Sequence, residues 1–169
     1  MPHGLFHRQL ARYASVHRSG RNKATHFVGI PLIVFSLQLL FALWRVQLGG
    51  HDVSMAIVLG IVATLSWIAL DLGIGLIMAA LMVPALTAAE ALAGALAPSS
   101  TVTAFAVLFI GGWALQFLGH HYEGKRPAMA DNIFQGFIGP MFLVAETLVA
   151  LGYRADLAAM MGEGDVTAR

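Results

Sequence analysis

The sequence contains no cysteine. That absence excludes disulfides, cysteine-ligated zinc, iron–sulfur clusters and thiol catalysis, so any metal must be held by histidine, carboxylate, amide or water. Charge is scarce as well: 11% of the 169 residues are Asp, Glu, Lys or Arg, against about 25% in an ordinary soluble domain. With 58% hydrophobic residues, the chain reads as an integral membrane protein of a single domain. A net charge of +1 and the lack of any extended Lys/Arg run leave no case for nucleic acid. No His-Glu-x-x-His motif occurs, so zinc-protease chemistry has no support. No apolar run precedes His26, so the N-terminal stretch does not read as a signal peptide. The first hydrophobic segment is expected to remain as an anchor. No internal repeat or low-complexity tract stands out.

A bilayer core takes roughly 20 apolar residues per helix. Four segments supply about that: Phe27 to about Leu48, Val53 to Leu70, Gly73 towards Ala97 (with Pro84 and Glu90 inside), and Thr101 to Gly119. A fifth, Ile133 to Tyr153, is interrupted by Gly139-Pro140 and reads as a kinked or partly re-entrant helix. The expectation is an all-α membrane helical bundle of four to five transmembrane helices over residues 1–153. A short polar tail over 154–169 is expected to fray.

Five cations and no acids precede the first span, and Lys125 and Arg126 follow the fourth. By the positive-inside rule both clusters face the cytoplasm, and four crossings return the chain to its starting side. A bacterial inner-membrane location with a cytoplasmic N-terminus follows. Within residues 3–17, Phe6, Leu10, Tyr13 and His17 recur at helical spacing opposite Arg8, Arg12 and Arg18. That pattern predicts an amphipathic helix lying along the membrane surface, with His17 aimed inward. The plainer alternative is a basic anchor with His17 merely at the interface.

What the chain does have is histidine at the edges of its apolar segments: His17 and His26 before the first, His120 and His121 after the fourth. Imidazole is costly beside lipid and is the commonest metal ligand. His17 and His26 are nine residues apart, about 900° and about 13 Å along one straight helix, and so could not share an ion there. Ser19-Gly20 breaks the helix between them, and Asn22 is a good cap for the next one. His120 and Glu123, at i and i+3, share a helix face, a spacing used in carboxylate–histidine metal sites. His121 lies about 100° away from His120, so the two cannot ligate one ion from a regular helix. An imidazole and oxygen ligand set suits iron(II), zinc, copper or manganese.

Further candidates are weaker. Gln116, Tyr122 and Asn132 could orient ligands through hydrogen bonds, and each is equally a helix-end polar residue. Glu146 lies in an apolar stretch, where an ionisable group is a functional candidate by default; the plainer reading is a protonated or paired structural acid. Lys125 and Arg126 could hold a fatty-acid carboxylate at headgroup level, or simply set the topology. Asp71 and Glu90 read as loop or helix-end residues, and His3, His7 and His51 as solvent-facing.

Two blocks carry a resemblance. Tyr13-x3-His17-x4-Asn22-x3-His26-x2-Gly29-Ile30-Pro31 and Trp113-x2-Gln116-Phe117-x-Gly119-His120-x2-Glu123-x3-Pro127-Ala128-x2-Asp131-Asn132 resemble the Mpo1-like family of small membrane proteins, over about residues 10–153. The resemblance implies an iron(II)-dependent dioxygenase that shortens 2-hydroxy fatty acids by one carbon. It also implies that His17, His26 and His120 hold the iron (Fe2+), with His121 an additional histidine outside the pattern. The implied partners are a 2-hydroxy fatty acid, dioxygen and the bilayer.

Two other function classes compete. A metal or proton transporter would use the histidines as a pathway, but the ionisable residues do not continue through the four spans. A non-catalytic lipid-binding membrane protein would carry no stoichiometric metal.

Overall fold

The computed structural model describes residues 4–126 and 134–162. Seven helices and one hairpin are found among them. α1 is Leu5–Ser15 and α2 is Gly20–Ala42; β1 (Arg45–Leu48) and β2 (His51–Ser54) follow. Then come α3 (Met55–Leu70), α4 (Leu72–Ala95) and α5 (Pro98–Glu123). After the undescribed segment, α6 covers Phe134–Ala150 and α7 covers Ala155–Met161. The all-α membrane bundle is thus what the chain forms, with a small hairpin that the hydropathy pattern did not announce. The described residues fall into two compact units. One is built from both ends of the chain, up to Phe27 and from Gln116 onward, and the other is Val28–Leu115.

α2, α4 and α5 are long and apolar enough to cross a membrane, and α6 with α7, bent by 118°, makes a broken span or re-entrant loop. α3 has 16 residues, which at 1.5 Å each reach about 24 Å, short of a hydrocarbon core of about 30 Å. Its expected start at Val53 is displaced because residues 51–54 pair with 45–48 instead, Arg45 opposite Ser54. Gly49 and Gly50 both have positive φ, as a two-residue hairpin turn between twisted strands demands. The first span is shifted likewise: α2 starts seven residues before Phe27 and stops at Ala42, where the hairpin takes over.

Local chemistry sets the other boundaries. Ser54 caps α3 by accepting from Ile57 N at 3.1 Å, and Asp71 caps α4 by accepting from Ile74 N at 2.9 Å. A Cβ on Gly75 would fall on the Ile68 backbone, so glycine there permits the tight α3–α4 turn. Glu90, which reads from sequence as a loop or helix-end acid, is inside α4. It pairs with Arg45 at 3.0 Å and accepts from the Ser54 hydroxyl, tying the hairpin to that helix.

α1 is the amphipathic helix that the spacing predicts. Its apolar side chains Phe6, Leu10 and Tyr13 are buried, and α1 packs on α6 and α7. Protein, rather than lipid, covers that face. The tail expected to fray after Arg154 is also ordered as far as Met161: Leu157, Ala158 and Met161 of α7 are buried.

Candidate metal centre

His17 owes its position to a turn. α1 ends at Ser15 and α2 begins at Gly20, so the half-turn mismatch of a continuous helix never arises. Glu123, at the end of α5, holds this turn. One carboxylate oxygen accepts from Arg18 N at 3.0 Å; the other accepts from Ser19 N at 2.7 Å and Asn22 Nδ2 at 3.1 Å. Asn22 Nδ2 also donates to Val16 O at 3.2 Å. Asn22 is therefore not the cap of α2: it sits inside the first turn and ties the preceding loop to Glu123.

The outcome is a meeting of rings. His17 Nε2 lies 3.1 Å from His26 Nε2, and the His120 ring centroid is 4.8 Å from that of His17 and 5.0 Å from that of His26. One nitrogen from each of the three lies within 4.8 Å of the others, and all three residues are buried.

The hydrogen bonds decide the tautomers. His17 Nδ1–H donates to Tyr13 O at 2.6 Å, and His26 Nδ1–H donates to Asn22 O at 3.0 Å. A carbonyl only accepts, so each neutral ring is protonated at Nδ1 and presents the Nε2 lone pair. Burial pushes the His17 imidazole down to about 3, against the opposing pull of the Tyr13 carbonyl, so it is neutral at pH 7. Two lone pairs facing each other at this distance repel unless a cation or proton lies between them. His120 adds a buried Nδ1 without a hydrogen-bond partner. The 3.1 Å between the His17 and His26 nitrogens is a separation at which two imidazoles could hold one ion. Backbone carbonyls behind two of the rings are the usual support for ligating imidazoles. The donor set, three imidazoles without thiolate, fits a first-row metal ion such as iron, zinc, copper or nickel.

The wall on the His17 side is aromatic. The Tyr13 ring stacks on His17 at 4.0 Å with an interplanar angle of 1°, and Phe142 of α6 lies 5.5 Å from His17 and 4.8 Å from Tyr13. On the other side α5 comes very close to α2. A Cβ at Gly119 would fall on Thr25 Oγ1 and Asn22 Oδ1 and lie 3.0 Å from His26 Nδ1.

Other candidates fall outside this cluster. His121 is exposed, as its angular offset from His120 requires. Glu123 serves the turn and does not join the three-histidine group. Tyr122 is exposed and carries the Arg21 guanidinium 5.7 Å over its ring, so it faces away from the histidines. Lys125 Nζ donates to Ser15 O at 2.7 Å, and Arg126 is exposed. Glu146 is paired with Lys23 at 2.8 Å, both largely buried. His51 is exposed and His7 half-buried, while His3 and Asn132 lie outside the described residues.

Sequence reasoning missed the roles of Tyr13, Phe142, Lys23 and Gly119. Tyr13 stands four residues before His17 on the same helical stripe, which was the available signal. Gly119 beside a histidine in a helix was another, since a helix interior tolerates glycine only at a cost. Nothing local marks Phe142 or Lys23.

A family model described as "Mpo1-like: 2-hydroxy-palmitic acid dioxygenase Mpo1-like" matches residues 4–151. The 2-hydroxy-palmitic acid dioxygenase MPO1 of Saccharomyces cerevisiae is 30% identical over 158 residues, covering 90% of this chain and 85% of its own length. No solved structure matches.

Proposed function

The chain belongs to the Mpo1-like family, and we propose that it is an iron(II)-dependent dioxygenase that shortens 2-hydroxy fatty acids by one carbon. The observation that carries the reading is the buried group of His17, His26 and His120 with its nitrogens turned inward. These three residues would hold the metal. When bound, iron(II) supplies dioxygen activation and a chelation point for the substrate's hydroxyl and carboxylate.

The chain's own residues do the rest. Tyr13 O and Asn22 O hold the His17 and His26 rings in one tautomer and one orientation. Tyr13 and Phe142 keep water from the His17 side. Glu123 fixes the α1–α2 turn without occupying a metal position. Phe27 and Phe117 present exposed apolar surface on the same two helices as His26 and His120, suited to lipid and to an acyl tail. The polar end of the substrate would then sit at the cytoplasmic interface of a bacterial inner membrane. The overall change, 2-hydroxy acid plus dioxygen to the shortened acid, carbon dioxide and water, balances without an added reductant.

Purified protein prepared anaerobically, then given iron(II), dioxygen and 2-hydroxypalmitate, is expected to release the acid one carbon shorter. Palmitate is expected to be inert, because it lacks the hydroxyl needed for chelation; sites built for a polar group discriminate by several orders of magnitude. Turnover of palmitate at the same rate, or turnover without dioxygen, contradicts the reading. Orientation has its own check: reporters fused after His26 and after Arg126 are expected to report the cytoplasm, and one after Gly49 the opposite side. Different sides for the first two would separate histidines that must meet.

A further inference from the structure

Gln116 has no part in the proposal above, yet its burial leaves an amide donor unmet. It is 7% exposed, and its Nε2 is buried without a hydrogen-bond partner. An amide donor left unsatisfied beside an apolar span is costly. Such groups persist where something else completes them.

The helix packing tells where the side chain sits. Residues 112, 116 and 119–120 share one face of α5 by helical spacing. A Cβ on Gly112 would meet Gly29 O at 2.9 Å and Ile33, while one on Gly119 would meet Asn22, Thr25 and His26. α5 thus runs antiparallel to α2, and Gln116 lies beyond the Gly119 contact that holds His26, on its span side. It is one turn further into the span than His120. In a fatty acid oriented with its tail in the bilayer, C2 lies one carbon further in than the carboxylate. A donor on the inner side of the histidines meets the C2 oxygen before the C1 oxygens.

We propose that the Gln116 amide N–H donates to the 2-hydroxyl oxygen of the substrate and so selects hydroxylated over plain fatty acids. This rests on the dioxygenase reading of the same site. A neutral donor suits that role, because it recognises the hydroxyl without adding charge inside an apolar span.

The test is equilibrium binding under nitrogen, where no turnover occurs, to the full-length iron-loaded chain in detergent. 2-Hydroxypalmitate and palmitate are compared for the wild type, Gln116→Leu and Gln116→Met, alongside iron content and melting temperature. The two variants are expected to lose about tenfold in affinity for 2-hydroxypalmitate and nothing for palmitate, with iron content kept. Their melting temperature is expected to hold or rise, since an apolar side chain replaces an unsatisfied amide. A variant that keeps the wild-type preference overturns this inference alone. So does an equal loss for both ligands, or a loss of iron or of melting temperature in both variants, which assigns Gln116 to structure. A wild type with no preference for 2-hydroxypalmitate overturns the dioxygenase reading, and this inference with it.

Discussion

Replacing His17, His26 or His120 by alanine is expected to strip iron from the purified protein and abolish its turnover, each substitution alone. The wild type is expected to carry about one iron per chain. Losing a supporting hydrogen-bond partner commonly costs 10–100-fold in metal affinity, and losing one of three imidazole ligands removes more. The geometry makes the three equivalent in this respect: all are buried, and none is replaceable by a neighbouring carboxylate, because Glu123 is committed to Arg18, Ser19 and Asn22. His121→Ala is the internal control. It is exposed, and both iron and turnover are expected to survive its loss. Truncating a buried ring also leaves a cavity, so helicity by circular dichroism and rescue by free imidazole separate lost ligation from lost fold. Full iron occupancy in all three alanine variants would end the metal-centre reading.

A single methyl group is expected to weaken the same site. Gly119→Ala places a Cβ on Thr25 Oγ1 and Asn22 Oδ1, and neither atom is the free end of a flexible chain. Thr25 Oγ1 donates to Asn22 O at 2.8 Å, and Asn22 is held by Val16 and Glu123. The helices must separate, at a cost of about 1–3 kcal/mol for overpacking, and His120 moves away from His26 with α5. Iron affinity is expected to fall by about tenfold or more, a magnitude typical of disturbed ligand geometry. Gly111→Ala, eight residues earlier on α5, has open space for its Cβ. There the ordinary gain of replacing a helical glycine, about 0.5–1 kcal/mol, applies. Melting curves and iron analysis on the pair give a direct contrast. Equal behaviour of the two variants would refute the close α2–α5 approach as a determinant of the site.

How much of this is legible without the fold follows the range of the forces involved. Hydropathy over about 20 residues reports a local property, the cost of leaving apolar surface in water, and it locates the long helices. Their ends are less legible. α2 begins at Gly20 and yields to the hairpin after Ala42 because the Gly49-Gly50 turn and the Arg45–Asp52–Glu90 contacts compete for those residues. The i to i+4 stripe of α1 announces a buried face, but cannot say whether lipid or α6 and α7 will cover it. Asn22 reads as a helix cap because that is the commonest local use of asparagine. Its actual partner, Glu123, is 101 residues away in the chain.

The class of chemistry needs no coordinates. Without cysteine, a metal must go to imidazole and oxygen, and His17, His26 and His120 lie at the ends of apolar segments that bring them to one level. Helical pitch alone also rules that His120 and His121 cannot both serve, since about 100° separates them. Which atoms actually meet is a property of the folded chain. Packing sets the His17 and His26 nitrogens 3.1 Å apart and makes Glu123 the clamp of a turn. It also pairs Lys23 with Glu146 and uses a glycine to close two helices on the site. Those last three outcomes depend on contacts across roughly a hundred residues of chain or more. No local pattern encodes them, because a side chain's partner is chosen by packing and not by proximity in sequence.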